Sequence, residues 1–370
     1  MAELGIACET CHGPGAEHAA RNRNPLRRYA LHLSGLGDST IVHPARLDQS
    51  RQTYVCAQCH AQRLPVRLDL TETWLSSGPT FRAGDDLYQH VRPVTQQEPG
   101  PPGNPDLYRL RFWNDATPRL SAYEFQGMAQ SECYLKSDMT CLNCHDAHGG
   151  DPAGMMRDGA RGNTACLTCH QPIAAKVSAH TRHAPESSGS LCVNCHMPRM
   201  VYGVMDIHRS HRIEVPAPQQ NALDQRPGAC TGCHLDKSAA WAQNQLAASA
   251  LPDDGVAENL RQLFGGDAVQ RAVAAQLAGR ADSALTPEQR LALIPQLLLA
   301  MEDGYPAVRR FAWKSLSALA AGASLSWPEL EQFDFTGEPG ARAAVISQLR
   351  RRASSLNVLP LDAALIAQLR

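Results

Sequence analysis

The chain has 370 residues and a nearly balanced charge, with 35 Lys and Arg against 36 Asp and Glu, an aromatic content of only 5%, 25 Pro and 27 Gly. A net charge of −1 without a basic stripe argues against nucleic acid as a partner, and the longest apolar run, residues 291–301, is too short and holds a proline, so it is not a membrane span. The length suggests two or three domains, and so few aromatic residues predict a thin core unless something other than side chains fills it.

In chain order, residues 1–7 (MAELGIA) show neither the basic start nor the apolar stretch of an export signal. A Cys-x-x-Cys-His motif follows as Cys8, Cys11 and His12. It recurs as Cys56, Cys59, His60; as Cys141, Cys144, His145; as Cys166, Cys169, His170; as Cys192, Cys195, His196; and as Cys230, Cys233, His234. Residues 73–91 read as short strands or turns, and the Pro/Gly-rich residues 96–108 as an extended loop. Beyond His234, cysteine and histidine cease and Ala and Leu dominate. There, residues 291–301 read as a buried helix. Residues 269–277, 308–316 and 341–349 each place apolar side chains at the first, fifth and ninth positions, one face of a helix. Their final leucines, Leu277, Leu316 and Leu349, are 39 and 33 residues apart, and an arginine stands near each helix start. This loose period resembles HEAT-type helical repeats, with an ordinary helical bundle as the alternative. A tail without Cys or His is expected to be separable from what precedes it.

Twelve of the 13 cysteines lie in the six motifs, and each second cysteine is followed at once by histidine. A structural zinc site has no need of that adjacency and separates its two ligand pairs by a dozen or more residues. A thioredoxin-like redox motif would occur once, beside a βαβ pattern. Covalent c-type haem accounts for the spacing: two thiols on one helical turn add to the porphyrin vinyl groups, and the adjoining imidazole reaches the iron. The sequence therefore predicts six covalent haem c groups with iron. Their thioethers would form at Cys8, Cys11, Cys56, Cys59, Cys141, Cys144, Cys166, Cys169, Cys192, Cys195, Cys230 and Cys233. Their proximal ligands would be His12, His60, His145, His170, His196 and His234. Porphyrin surfaces would replace a side-chain core, leaving little regular structure around them.

Nine histidines lie outside the motifs, more than six irons need as distal ligands. The first candidates are His18, His148, His183 and His211, followed by His43, His180 and His208; His32 and His90 read as bystanders. His180 and His183, like His208 and His211, are i, i+3 pairs expected on one helical side. His148 is too close to His145 to turn back on the same iron and is expected to serve a neighbouring haem. Met197 follows His196 too closely to ligate it. Cys133 reads as an inert buried thiol, with a redox or ligand role as the alternative.

The segments GIACETCHGPGAEH, MTCLNCHDAHGG, ACLTCH, CVNCHMPRMVYG with HRSHRIEVP, and CTGCHLDKSAAWA resemble the multihaem cytochromes related to cytochrome c-554, doubled Cys-x-x-Cys-His proteins fused to a helical-repeat tail. The likeness covers about residues 1–245. With the change of composition after His234, the expectation is a mainly α protein with a multihaem cytochrome domain at 1–240 and an α-helical, HEAT-like domain at 241–370; the resemblance carries the rest. It implies a periplasmic or otherwise exported electron carrier with stacked haem pairs, with His18 and His148 as distal ligands. Its partners would be periplasmic redox proteins, and the tail a docking surface. It also implies that the chain is N-terminally truncated, with a leader and a further motif upstream. An oxidoreductase acting on a small nitrogen or sulfur compound, such as nitrite or hydroxylamine, is the alternative.

Overall fold

The computed structural model describes residues 6–151, 154–203, 206–246, 251–356, 358 and 360–370; most of the opening MAELGIA stretch, residues 1–5, lies outside them. The fold is mainly helical, with many short helices and two small antiparallel sheets. The chain forms two compact units, residues 1–110, 122–174 and 211–213 in one and residues 111–121, 175–210 and 214–370 in the other. The compositional change near residue 240 falls inside the second unit.

The first unit is thinly cored. Its buried apolar cluster is small: Ala57, Ala61, Phe81, Leu87, Val91 and Phe125. The helix Pro25–Ser34 buries none of its residues, although Asn24 caps it well by accepting from the Leu26 amide at 2.9 Å. The longest helix here, Gln49–His60, starts at Asp48, whose carboxylate accepts from the Arg51 amide at 2.9 Å. After it, β1 (Arg63–Pro65) pairs with β2 (Val91–Pro93), Leu64 opposite Arg92. Residues 73–91, expected as strands or turns, begin instead with the helix Thr71–Ser77, which Gly78 ends at φ +77°. Only Val91 enters a strand. Residues 96–108 form turns and extended chain without helix or strand, as the Pro/Gly content predicts.

The second unit holds a conventional core. In its hairpin, β3 (Arg199–Tyr202) pairs with β4 (Ile207–Arg209), with an irregularity between Arg199 and Val201. The three repeated segments all become helix, within Ala268–Ala278, Pro306–Gly322 and Pro339–Ala353. Val273, Leu277, Val308, Ala312 and Leu316 are buried as their spacing requires. In the third helix the buried face is Ile346, Leu349 and Ala353 rather than the face beginning at Ala341, because Ala341 is exposed in the first turn. Residues 291–301 are not one helix. Pro295 cannot donate to a preceding carbonyl, so the chain starts anew as Ile294–Ala300, burying Ile294, Leu297 and Leu298. Arginines tie the helices together: Arg271 pairs with Asp303 at 2.7 Å, and buried Arg309 donates to the carbonyls of Phe335, Asp303 and Gly304.

The tail is not separate from the motif-bearing part of its unit. Ile207 and Leu235 share one buried cluster with the tail helices, and Cys233 accepts from the Ala284 amide through its carbonyl at 3.1 Å. Arg119, 8% exposed in its side chain, donates to Asp267, which also caps Ala268–Ala278. Where composition suggests a separable tail, the apolar face of the tail is closed by residues flanking the last two motifs.

Truncation after residue 245 should therefore expose Ile207 and Leu235 and lower the haem loading at Cys192, Cys195, Cys230 and Cys233, which peptide mass mapping will read, while the first four motifs load normally. A second test addresses helix packing. A Cβ on Gly279 would lie 2.6 Å from Ser315 Cα. Gly279→Ala should thus cost about 1–3 kcal/mol by overpacking, seen as a lowered denaturant midpoint.

Candidate functional site

Each motif closes on itself through one backbone turn. The His145, His170 and His234 amides donate to the carbonyls of Cys141, Cys166 and Cys230 at 2.9, 2.9 and 2.8 Å. The first, second and fifth motifs lie within the helices Cys8–His12, Gln49–His60 and Cys192–His196. Residues three apart on such a turn share a face, so both thiols of each motif face one side. None of the 13 cysteines is in a disulfide.

Successive motifs are neighbours within each unit. Gln58 donates to the Thr10 carbonyl at 2.8 Å, and burial, with Cys56 and Cys59 nearby, pushes the Cys11 thiol up. The Cys56 and Cys141 thiols share a hydrogen bond, which lowers Cys56 to about 7 and pushes Cys141 up. Cys133 lies near Cys144 and Cys169, and burial pushes its thiol up, in keeping with an inert group. In the second unit, burial and the nearby Cys195 push Cys230 up to about 11.

Four motif histidines face a second imidazole. His12 and His148 have ring centres 5.8 Å apart and planes 8° apart. The other pairs are His145 with His211 at 6.3 Å, His196 with His180 at 6.2 Å, and His234 with His183 at 6.1 Å. Metal–imidazole bonds run about 2 Å, and a ring centre lies about 1 Å behind its nitrogen, so two rings sharing one metal ion have centres roughly 6 Å apart. Among the described residues no ring faces His60 or His170, and His18, His43 and His208 face no motif histidine. His90 is occupied on both nitrogens, by Thr80 at 2.8 Å and Asp85 at 3.1 Å. His18 pairs with Asp38 at 3.2 Å.

The protonated nitrogen of the motif rings is also positioned. Nδ1 of His12, His145 and His196 donates to the carbonyls of Val42, Gly154 and Glu214 at 2.8, 2.8 and 2.7 Å. That bond sets the tautomer and leaves Nε2 for a metal. His60 differs, because its Nδ1 meets the Glu124 carboxylate at 3.2 Å. This bond raises the basicity of His60; burial would push the Glu124 carboxyl up, yet the bond to His60 holds it below the usual range.

Two expectations about the outer histidines are corrected. His180 and His183 are not on one helical side. The helix Val177–Thr181 ends at Arg182, which is left-handed at φ +59°, so His183 leaves the helix and meets a different motif from His180. His208 lies in β4 and His211 beyond it, so HRSH is not helical either. Three further residues carry no sequence signal. Buried Ser131 donates to the His211 carbonyl at 3.1 Å and accepts from the Ile213 amide at 2.8 Å. Gly127 admits the 211–212 backbone, which a Cβ would approach to 3.0 Å. Trp241 packs on His234 with ring centres 4.9 Å apart.

The donor set suits covalent haem better than a bare ion. Among the described residues no three His, Cys, Asp or Glu side chains converge on a metal position. The four ring pairs have instead the centre spacing, 5.8–6.3 Å, that two imidazoles on one iron would take.

Residues 135–175, with the third and fourth motifs, match the doubled CXXCH motif family. No curated protein matches the chain. A solved crystal structure, that of the outer cell wall cytochrome OcwA, is similar with 18% identity over 95% of this chain and 71% of that one, at a TM-score of 0.41. The doubled motif and its recurrence along the chain support a multihaem c-type cytochrome with covalently bound haem c.

The left-handed Arg182 offers a test of how the two outer histidines are divided. A left-handed residue with a side chain costs about 1–2 kcal/mol, more when β-branched. Arg182→Gly should retain both imidazole pairs, and Arg182→Val should unfold at a denaturant midpoint lower than the Gly variant by about that energy.

Proposed function

We propose that this chain is an exported electron-relay cytochrome carrying six covalent haems, one on each motif. The observation that carries this reading is the set of four motif imidazoles each facing a second imidazole at 5.8–6.3 Å. On this reading His148, His211, His180 and His183 would hold the irons together with His12, His145, His196 and His234 respectively. Haem supplies a one-electron ferric/ferrous couple, and two imidazoles on one iron favour low-potential electron transfer over ligand binding.

The residues of the chain do the rest. Paired cysteines hold each porphyrin edge against one turn of backbone. Carbonyls at Val42, Gly154 and Glu214 hold the imidazoles in the tautomer that presents Nε2. Adjacent motifs, such as those in contact through Cys56 and Cys141, would hold their porphyrins as neighbours, the arrangement an electron relay needs. The small side-chain core of the first unit suits a segment that folds around apolar cofactors. Attachment of c-type haem outside the cytoplasm makes the protein an exported one, with a periplasmic site as the finer reading. No helix among the described residues is long and apolar enough to cross a membrane. On this reading residues 1–240 conduct, and the HEAT-like helices of 241–370 brace the last two motifs and offer a surface to a redox protein.

Intact mass and pyridine haemochrome analysis of matured protein should give six haems; four or fewer would refute the stoichiometry. Replacing His148, His211, His180 or His183 singly by Ala should each convert one low-spin ferric haem to high spin in the electron paramagnetic resonance spectrum. Replacing His32 or His90 should leave the spectrum unaltered.

A further inference from the structure

We propose that Glu124 is a positioning residue for the haem on Cys56, Cys59 and His60, and that its carboxylate lowers the potential of this haem. The inference rests on the haem reading above and deepens it.

His60 is the motif histidine whose Nδ1 meets a carboxylate, at 3.2 Å, whereas His12, His145 and His196 meet backbone carbonyls. The contact is built rather than incidental. Glu124 opens the short helix Glu124–Met128, which clamps the end of Gln49–His60 in three places. Phe125 packs in the buried cluster with Ala57 and Ala61, on either side of the second motif's last residues. Gln126 donates to the Gln62 carbonyl at 2.8 Å. Glu124 itself is only 25% exposed in its side chain, and its other oxygen accepts from the Ala122 amide at 3.2 Å. Both carboxylate oxygens are thus engaged and the side chain is held toward His60.

A carboxylate hydrogen-bonded to the outer nitrogen of a ligating imidazole raises that ligand's basicity. The stronger donor stabilises the ferric over the ferrous ion, so the one-electron couple moves to lower potential. The proton stays on Nδ1, no bond to His60 breaks, and the electron arrives from and leaves to a neighbouring haem. The bland alternative is that Glu124 merely closes the turn at Ala122 and favours a helix N-terminus. Glutamine separates the two, since it keeps the oxygen for the Ala122 amide and loses the charge.

The experiment is a spectroelectrochemical titration of the full chain with all its haems, wild type against Glu124→Gln, with haem-to-protein ratio and far-ultraviolet circular dichroism recorded first. The expected result is a difference titration in which the amplitude of one haem moves to higher potential and the rest superimpose. Superimposable titrations at equal haem content would overturn the role of Glu124 and leave the relay standing. A haem count of four or fewer in the wild type would instead strike the six-haem reading on which this rests. Should Glu124→Gln lose helix content, Glu124→Asp decides the matter: it keeps the charge but falls short of Nδ1. The same upward shift supports the proposal, and an unmoved titration overturns it.

Discussion

The hydrogen bond from each motif histidine's amide to the carbonyl of the first cysteine, four residues earlier, is the constraint on which the rest of the molecule depends. It sets both thiols on one side of a turn and the imidazole at the end of it, as at Cys141 and His145 with 2.9 Å. A turn of this kind needs only five residues, so it can sit inside a long helix, as at Cys56, or in a stretch with little other structure, as at Cys230. The surrounding fold therefore has freedom to be irregular while the attachment geometry is preserved.

That freedom is used differently in the two units. In the first, which holds four motifs, the buried apolar cluster is small, and long-range ties are polar: Gln49 alone donates to the carbonyls of Tyr134, Ser137 and Met139. In the second, two motifs are flanked by helices whose apolar faces close on Ile207 and Leu235. Burying a large aliphatic or aromatic side chain is worth about 1.5–3 kcal/mol, so this cluster, with Phe311, Leu316 and Leu349 fully inside, stabilises its unit without cofactor surface. The tail is thus part of how the last two motifs are held.

Facing imidazoles are drawn from places that chain order does not suggest. His148 follows the third motif yet faces the first; His183 and His180, three residues apart, face different motifs because Arg182 turns left-handed between them. His211 reaches His145 because Ser131 grips the backbone at 211 and 213 and Gly127 leaves room for it. The second motif has a carboxylate where the first, third and fifth have carbonyls.

By itself the sequence determined what is local. Six motifs with invariant spacing specify the turn, the thiol pair and the first imidazole, because those depend on residues within five positions of one another. The tail helices followed from apolar periodicity, and the loop at 96–108 from its proline and glycine. Only the tertiary structure decided which distant imidazole meets which motif, that Pro295 divides residues 291–301, and that the tail shares a core with Ile207 and Leu235. It alone brought Glu124 to His60 across 64 residues. The physical reason is the same throughout: a ring pair, a shared core or a carboxylate contact is a distance between remote points of the chain. Such a distance is set by backbone turns like Arg182 and by packing at residues like Gly127 and Gly279, whose roles no local pattern announces.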